Sequence, residues 1–280
     1  MKIIADSGST KTDWCLINSA GRVKTVQTIG MNPYFLDEND ILNILRKDLY
    51  PFLDNKKVEQ VFFYGSGCAL PGKKQVVQCA LDFFFMHADV EVENDLFGAA
   101  RALCGEENGL VCILGTGSSS CLYDGTQIIE RLPSLGYILG DEGSGAYLGK
   151  KIVSAYFNNE LPDHLQKLFA QKYPAELAEV LDKVYKQSFP NRFLATLVEF
   201  LNENKSDSFV KDLVGSAFDE FFKKQVLRYN NYNEYPLCFV GSVSFTFTDE
   251  LRKSAEKHGL TIAKIEQTPL DGLLKYHKNS

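Results

Sequence analysis

The chain has 280 residues, of which 45% are hydrophobic and 24% are charged, and its formal net charge is −6. This length allows two domains with hydrophobic cores, and the composition is that of an ordinary soluble globular protein. The acidic balance argues against a nucleic-acid partner, no apolar run reaches the roughly 18 residues of a membrane helix, and the N-terminus shows no secretory h-region. We therefore expect a cytoplasmic protein with neither nucleic acid nor membrane as a partner.

The seven cysteines are scattered along the chain and never form a CxxC pair. Several lie in apolar stretches that are typical of strands, such as those around Cys112 and Cys238. Buried, reduced thiols explain this pattern best. A zinc or iron–sulfur site within one chain is therefore not expected.

The first part of the chain alternates predicted strands with predicted helices. Strands are predicted at 2–5, 14–18, 23–29, 58–64, 90–92 and 110–114, and helices at 37–49, 73–85 and 96–104. The helical prediction at 37–49 depends on apolar residues at 41, 42, 45 and 49, which have helical spacing. The alternation predicts an α/β architecture with a mostly parallel sheet and antiparallel hairpin strands.

The N-terminal segment DSGSTKTDW (6–14) joins two apolar strands through a turn of small and hydroxyl residues. The backbone N–H groups of such a hairpin can point at one anion. Lys11 adds a positive charge, Thr10 a hydroxyl donor, and Asp6 a carboxylate for hydrated Mg²⁺. The segment predicts a phosphate-binding turn, and an ordinary polar turn is the alternative.

A second hairpin at 111–123 repeats this pattern, with GTGSSS (115–120) as its turn. The chain is therefore predicted to be internally duplicated, with one lobe at 1–107 and another at 108–280. The second lobe becomes helical and charged from about residue 143. Helices are predicted there at 165–171, 175–187, 193–202, 209–229 and 249–258, and strands at 237–240 and 261–265.

Asp95 follows a predicted strand and opens a predicted helix. Open α/β sheets bind ligands at the carboxyl ends of their strands, so Asp95 is a candidate general base for an attacking hydroxyl. A helix N-cap requires the same type of residue at the same place, and this segment alone favours the cap.

Two further segments combine glycines with polar residues. In GYILGDEGSGAYLG (136–149), Asp141 and Glu142 precede a helix predicted to start near Ser144. They can accept hydrogen bonds from sugar hydroxyls, or the acidic pair can cap the helix. In GSV (241–243), a strand ends at Gly241 and Ser242, which allows a flat ring such as adenine to lie against the backbone.

The order of these segments resembles the sugar kinase–Hsp70–actin superfamily: phosphate hairpin, catalytic Asp, second phosphate hairpin, adenosine turn. More narrowly, DSGSTKTDW, END (93–95), GTGSSS, GYILGDEGSGAYLG and GSV are similar to the N-acetylglucosamine kinase branch of the BadF/BadG/BcrA/BcrD ATPase family. The resemblance implies an α/β fold with two ribonuclease H-like (actin-like ATPase) lobes, a central cleft and helical additions in the second lobe. Whether the last helix packs back on the first lobe stays open.

The resemblance also implies a role for each matching residue. Asp6 would position Mg²⁺, and the phosphates would be surrounded by Gly8, Ser9, Thr10 and Lys11. The second phosphate loop would consist of Gly115, Thr116, Gly117 and Ser118, and the adenosine would face Gly241 and Ser242. Asp95 would be the base, and the residues at the sugar would be Asn32, Asp95, Thr116, Ser119 and Asp141. The implied cofactors are ATP and Mg²⁺, and a homodimer is compatible with the family.

The activity implied is ATP-dependent phosphorylation of an amino sugar, first of all N-acetylglucosamine at its 6-hydroxyl. Ser119 and Leu135 stand where family members often carry Asn and Trp, so the identity of the sugar depends on them. N-acetylmuramic acid, N-acetylmannosamine and glucosamine are alternative substrates. An iron–sulfur ATPase activator of the same fold and a non-catalytic ATP-binding regulator are alternatives of another class, and the zinc motif of the ROK sugar kinases is missing from the sequence.

Overall fold

The computed structural model describes residues 1–53, 57–173 and 176–278. The strands are β1 (Lys2–Ser7), β2 (Lys11–Ile17), β3 (Val23–Ile29), β4 (Gln60–Gly65), β5 (Asp89–Asn94), β6 (Gly109–Leu114), β7 (Ser118–Tyr123), β8 (Ile128–Arg131), β9 (Leu237–Val240) and β10 (Ile262–Glu266). The α-helices are α1 (Glu38–Ile44), α2 (Pro71–Phe84), α3 (Asp95–Cys104), α4 (Gly136–Leu139), α5 (Gly145–Phe157), α6 (Asp163–Lys172), α7 (Leu177–Tyr185), α8 (Pro190–Thr196), α9 (Val198–Glu203), α10 (Ser208–Lys224), α11 (Ser242–Thr246), α12 (Thr248–Lys257) and α13 (Leu270–Lys278).

The chain divides into two compact units. The first unit contains 1–107, 125–127 and the segment from Thr268 onward, and the second contains 108–124 and 128–267. Each unit is built on one five-stranded sheet with helices packed against it. The predicted α/β class, with two lobes of this kind and additional helices in the second, is confirmed.

The sheet of the first unit has the strand order β3-β2-β1-β4-β5. β1, β4 and β5 run parallel, and β2 is antiparallel to both β1 and β3. The carboxyl ends of the three parallel strands therefore meet at one edge, where Ser7, Gly65 and Asn94 lie side by side in register. This edge carries the first predicted phosphate turn and Asp95.

Apolar side chains cover both faces of this sheet. Trp14, Phe63 and Val92 pack with buried residues of α1 and α2 on one face. On the other face, Tyr64 packs in a smaller cluster with Leu273 of α13. Alternating side-chain direction along each strand supplies apolar residues to both helical layers.

The helix α13 is held on this face by a buried hydrogen bond. The Tyr64 hydroxyl and His277 Nε2 are 2.8 Å apart, and the ring of His277 stacks on Phe62 with centroids 3.9 Å apart. Burial, together with the positive charges of Arg101 and Lys2, lowers the pKa of His277 to about 4. The imidazole is therefore neutral at pH 7.

The sheet of the second unit has the order β10-β9-β6-β7-β8. Its first strand, β6, is antiparallel to β7 and parallel to β9, which repeats the arrangement of β1 with β2 and β4. The two sheets thus have the same topology, which confirms the predicted internal duplication. A core that includes Phe218, Phe221, Phe222 and Phe239 lies between this sheet and its helices.

Several predicted helices differ from those observed. The helix predicted at 37–49 ends as an α-helix at Ile44 and continues as a π-helix over Leu45–Leu49. The stretch 193–202 falls into two helices, α8 and α9. The helix predicted at 209–229 ends at Lys224, and a 3-10 turn follows. In the helix predicted at 175–187, residue 175 lies outside the described residues and α7 begins at Leu177.

The short helices α4 and α11 were not predicted, because each is shorter than two turns and shows no period in the sequence. Among the described residues, none of the helices combines the length and the apolar character that a membrane crossing requires.

Candidate functional site

The first predicted phosphate turn connects β1 to β2 and is held by backbone hydrogen bonds on both sides. Gly8 N donates to Lys11 O at 2.9 Å, and Gly30 N donates to Thr10 O at 3.0 Å. The buried Ser7 hydroxyl lies 2.7 Å from that of Thr12. The backbone of the turn is therefore fixed before any ligand binds, as an anion-binding turn requires.

Asp6 precedes this turn on β1, opposite Asp13 of β2. Burial, together with the negative charges of Asp95 and Asp13, raises the pKa of Asp6 to about 7 against the opposing positive charge of Lys11. A carboxylate in such surroundings is stabilised by a nearby cation.

Hard carboxylate oxygens suit Mg²⁺, which commonly binds through one or two carboxylates, water and substrate phosphates. In the described part of the chain, no group of three or more His, Cys, Asp or Glu side chains is arranged to hold a metal ion. Asp6 thus fits a hydrated Mg²⁺ that is brought with phosphates, and it does not fit a cage made by the protein alone.

Lys11 forms an ion pair that the sequence did not predict. Its Nζ lies 2.8 Å from Asp13 Oδ2, and the Lys11 side chain is about half exposed. The other oxygen, Asp13 Oδ1, accepts a hydrogen bond of 2.7 Å from Gln27 Nε2 across the β2–β3 pair. The lysine head group is therefore held beside the turn by a nearly buried carboxylate.

The helix cap that its segment alone favoured for Asp95 is wrong. The N-cap of α3 is Asn94, whose Oδ1 accepts a hydrogen bond of 2.9 Å from Phe97 N. Asp95 is the first residue inside the helix, and its Oδ1 accepts from Leu96 N at 2.9 Å. Its carboxylate is close enough to Asp6 to raise the pKa of that group.

Asn32 lies at the same edge of the first unit and is buried. Its Nδ2 donates to Ser9 Oγ at 3.2 Å, and its Oδ1 accepts from Tyr34 N at 3.0 Å. These two contacts fix the orientation of the amide. The structure thus places a predicted sugar residue in direct contact with a predicted phosphate residue.

The second hairpin turn is fixed to the helix α5. Gly115 N donates to Gly117 O at 3.0 Å, Gly145 N donates to Gly115 O at 2.8 Å, and Ala146 N donates to Thr116 O at 3.0 Å. The first residues of α5 thus bind the carbonyl groups of the turn. Ser118 begins β7, and Ser119 lies on the opposite face of that strand because side chains alternate.

Asp141 lies directly against this second turn. A Cβ atom on Gly117 would lie 2.9 Å from Asp141 Oδ2, and Asp141 itself has a left-handed φ of +58°. Burial raises the pKa of Asp141 to about 6, although hydrogen bonds from Ser118 N and the Ser134 hydroxyl oppose the rise. At pH 7 the carboxylate form predominates and can accept hydrogen bonds.

The acidic pair does not cap α5, which corrects the second capping interpretation. The cap is Ser144, whose Oγ accepts from Tyr147 N at 3.2 Å. Glu142 is buried and forms an ion pair of 2.8 Å with Lys224. Asp141 and Glu142 therefore have different surroundings in spite of being neighbours.

The predicted adenosine turn lies beside the second phosphate turn. Gly241 has a φ of +131°, and a Cβ at this position would lie 2.2 Å from Leu114 O and 3.2 Å from Gly115 N. Ser242 follows as the exposed first residue of α11. Only glycine permits two backbones to approach this closely, which explains why GSV has glycine at position 241.

A cavity of about 200 Å³ opens in the second unit next to Asp141. Leu135, which is 59% exposed, forms part of its wall together with Glu142, Lys224 and Arg228. Lys224 is engaged by Glu142, whereas Arg228 lies exposed at the wall. No pattern in the sequence indicates this cavity, since Arg228 follows α10 and is far from Asp141 along the chain.

The predicted site residues thus fall into two groups, one in each unit. The first group is Asp6, Gly8, Ser9, Thr10, Lys11, Asn32 and Asp95, and the second group is Gly115, Thr116, Gly117, Ser118, Ser119, Asp141, Gly241 and Ser242. Beyond these, Asp13 and the turn Gly65–Cys68 lie with the first group, and Arg228 lies with the second.

The chain is similar to solved structures of other proteins. No protein-family model and no curated protein matches it. A proposed N-acetylglucosamine kinase from Porphyromonas gingivalis is 43% identical with a TM-score of 0.95, over 100% of this chain and 99% of that one. A proposed N-acetylglucosamine kinase from Chromobacterium violaceum is 16% identical with a TM-score of 0.72, over 99% of both chains. A ROK family glucokinase from Streptomyces griseus, solved with glucose and AMPPNP, is 15% identical with a TM-score of 0.59, over 100% and 98%. The last two share the fold.

Proposed function

We propose that this chain phosphorylates N-acetylglucosamine at its 6-hydroxyl. The chain belongs to the N-acetylglucosamine kinase-like branch of the sugar kinase–Hsp70–actin superfamily and is an ATP-dependent sugar kinase. Membership of this family confirms the resemblance that the motifs indicated. The observation that carries the proposal is the position of Asp95. It follows the carboxyl end of β5 as the first residue of α3, after the N-cap, and its negative charge raises the pKa of Asp6.

In the first unit, the proposed role of Asp95 is to accept the proton of the acceptor hydroxyl as that oxygen attacks the γ-phosphorus of ATP. Asn32 would hold the sugar, and the turn of Gly8, Ser9 and Thr10 would surround the phosphates with Lys11. Asp6 would position Mg²⁺. When bound with ATP, this ion would supply charge neutralisation on the phosphoryl group.

In the second unit, the proposed role of Gly115, Thr116, Gly117 and Ser118 is to form the other phosphate loop, with Thr116 also near the sugar. Asp141 would accept hydrogen bonds from a sugar hydroxyl, which its carboxylate form allows at pH 7. Ser119 remains a proposed sugar residue. Gly241 and Ser242 would face the adenosine.

A specific observation favours N-acetylmuramic acid as a second candidate substrate. This sugar carries a carboxylate that N-acetylglucosamine lacks. The exposed residue Arg228 lines the same cavity as Asp141, and an arginine can bind a carboxylate through two parallel hydrogen bonds. The proposed substrates therefore differ in whether they use Arg228.

A coupled ADP-release assay across amino sugars and hexoses tests both proposals. We expect turnover with N-acetylglucosamine, and ATP binding without sugar-dependent ADP release would instead indicate a non-catalytic regulator. If N-acetylmuramic acid is a substrate, Arg228→Ala should raise its KM about ten-fold or more and leave the KM of N-acetylglucosamine unchanged. Arg22→Ala, at an exposed position in the β2–β3 turn of the first unit, is the matched control.

A further inference from the structure

The turn Gly65–Cys68 follows β4 at the edge where the candidate residues of the first unit converge. The last paired residues of β1, β4 and β5 lie side by side. The next residues on these three segments are Gly8 of the phosphate turn, Ser66 and Asp95. Because neighbouring strands are about 4.8 Å apart, Ser66 lies between the phosphate turn and the candidate base.

Backbone contacts hold Ser66 at the tip of its turn. Cys68 N donates to Gly65 O at 3.2 Å, and Ser66 N donates to Ser7 O at 2.7 Å. Gly67 has a φ of +86°, and a Cβ on it would lie 2.4 Å from Asn32 Oδ1. Glycine at the third position of a turn is what this backbone conformation requires. The position of Ser66 is therefore set by the fold.

The hydroxyl groups of Ser66 and Ser9 lie close together, but their mutual contact does not use up their capacity for hydrogen bonds. Their oxygens are 3.4 Å apart, which exceeds the usual 2.5–3.0 Å of an O–H···O hydrogen bond. Ser9 Oγ also accepts a hydrogen bond from Asn32 Nδ2, so the Ser9 proton remains available for donation. Both side chains are half-buried. Two such hydroxyls can donate to one anionic oxygen that lies against both of them.

We propose that Ser66 is a further phosphate-binding residue, whose hydroxyl donates together with that of Ser9 to an oxygen of the transferred γ-phosphoryl group. This inference rests on the proposed function. The γ-phosphoryl group is the part of ATP that must lie next to the attacking sugar oxygen and hence next to Asp95. A residue between the phosphate turn and Asp95 therefore contacts the γ-phosphoryl group rather than the α- and β-phosphates.

Calorimetric titration with AMPPNP and with ADP, each with Mg²⁺, tests this role. Ser66→Ala should weaken the affinity for AMPPNP about ten-fold, since a hydrogen bond to a charged group is lost, and leave the affinity for ADP unchanged. Ser66→Thr keeps the hydroxyl and should bind both nucleotides like the wild type. Ser19→Ala, at the exposed turn between β2 and β3, is the matched control and should change neither affinity.

The possible results separate this inference from the proposed function. Equal loss of both affinities in Ser66→Ala, or loss of neither, overturns the role of Ser66 alone. A wild-type protein that binds neither nucleotide contradicts the proposed function and this inference together. A wild-type protein that binds both but phosphorylates no sugar contradicts the proposed function, and the ratio of the two affinities still decides the role of Ser66.

Discussion

Replacing Asp95 with Asn separates catalysis from helix capping at the start of α3. Asparagine has the shape of aspartate and keeps an oxygen for the hydrogen bond from Leu96 N, which is 2.9 Å long in the wild type. The cap itself belongs to Asn94 and is untouched. We therefore expect a change in the free energy of unfolding of less than about 0.5 kcal/mol.

The same substitution removes the group that accepts the proton of the sugar hydroxyl. A positioned general base contributes a factor of about 10² to 10⁴, so kcat should fall at least about 100-fold while the KM for ATP stays near its wild-type value. The assay is coupled ADP release at saturating sugar, with thermal unfolding measured on the same protein.

The control for this prediction is the neighbouring residue. Asn94→Ala removes the acceptor of Phe97 N and should cost about 1 kcal/mol of stability, while turnover of the folded protein stays close to that of the wild type. Near-normal turnover of a folded Asp95→Asn protein would refute the assignment of the base. Loss of turnover in Asn94→Ala equal to that in Asp95→Asn would show that the position of the helix, rather than the carboxylate, matters.

Three further predictions follow from single contacts. Gly67→Ala pushes a methyl group against Asn32 Oδ1, so steady-state kinetics should show a KM for the sugar that is raised several-fold. Folding raises the pKa of Asp141 from 3.8 to about 6, so its contribution to stability falls as the pH rises through this window. Thermal scans should therefore show Asp141→Asn melting above the wild type at pH 7 and together with it below pH 4. Tyr64→Phe leaves His277 Nε2 without its partner and should cost about 1–3 kcal/mol in urea unfolding.

The parts of the fold that depend on local pattern were predictable from the sequence. The two hairpins DSGSTKTDW and GTGSSS each place a turn of small residues between apolar strands, and both form where they were predicted. Their repetition predicted a duplicated chain, and the two sheets have the same topology. Such features depend on residues within about ten positions of each other, so one sequence is enough to reveal them.

The helix start at residues 94 and 95 shows where this reasoning is insufficient. Asn and Asp are both good N-caps, and a shift of one residue decides which of them caps and which is left for other chemistry. Only the backbone geometry assigns the cap to Asn94. The same holds at α5, where Ser144 caps the helix in place of the acidic pair.

Contacts between distant segments account for what the sequence did not reveal. Ser66 meets Ser9 because β1 and β4 are neighbours in the sheet, although the two residues are 57 positions apart in sequence. Arg228 meets the cavity of Asp141 only through the packing of α10 on the second sheet. No rule of sequence spacing connects such pairs. Serine, arginine and aspartate are common at protein surfaces, so the residue types alone do not indicate a site.

The measurement that tests the central claim most directly is sugar-dependent ADP release by the purified wild-type protein with Mg²⁺ and ATP. Release that requires N-acetylglucosamine, with product phosphorylated at the 6-hydroxyl and activity lost in Asp95→Asn, is the result we predict. ADP release that is the same with and without every sugar of the panel would contradict it.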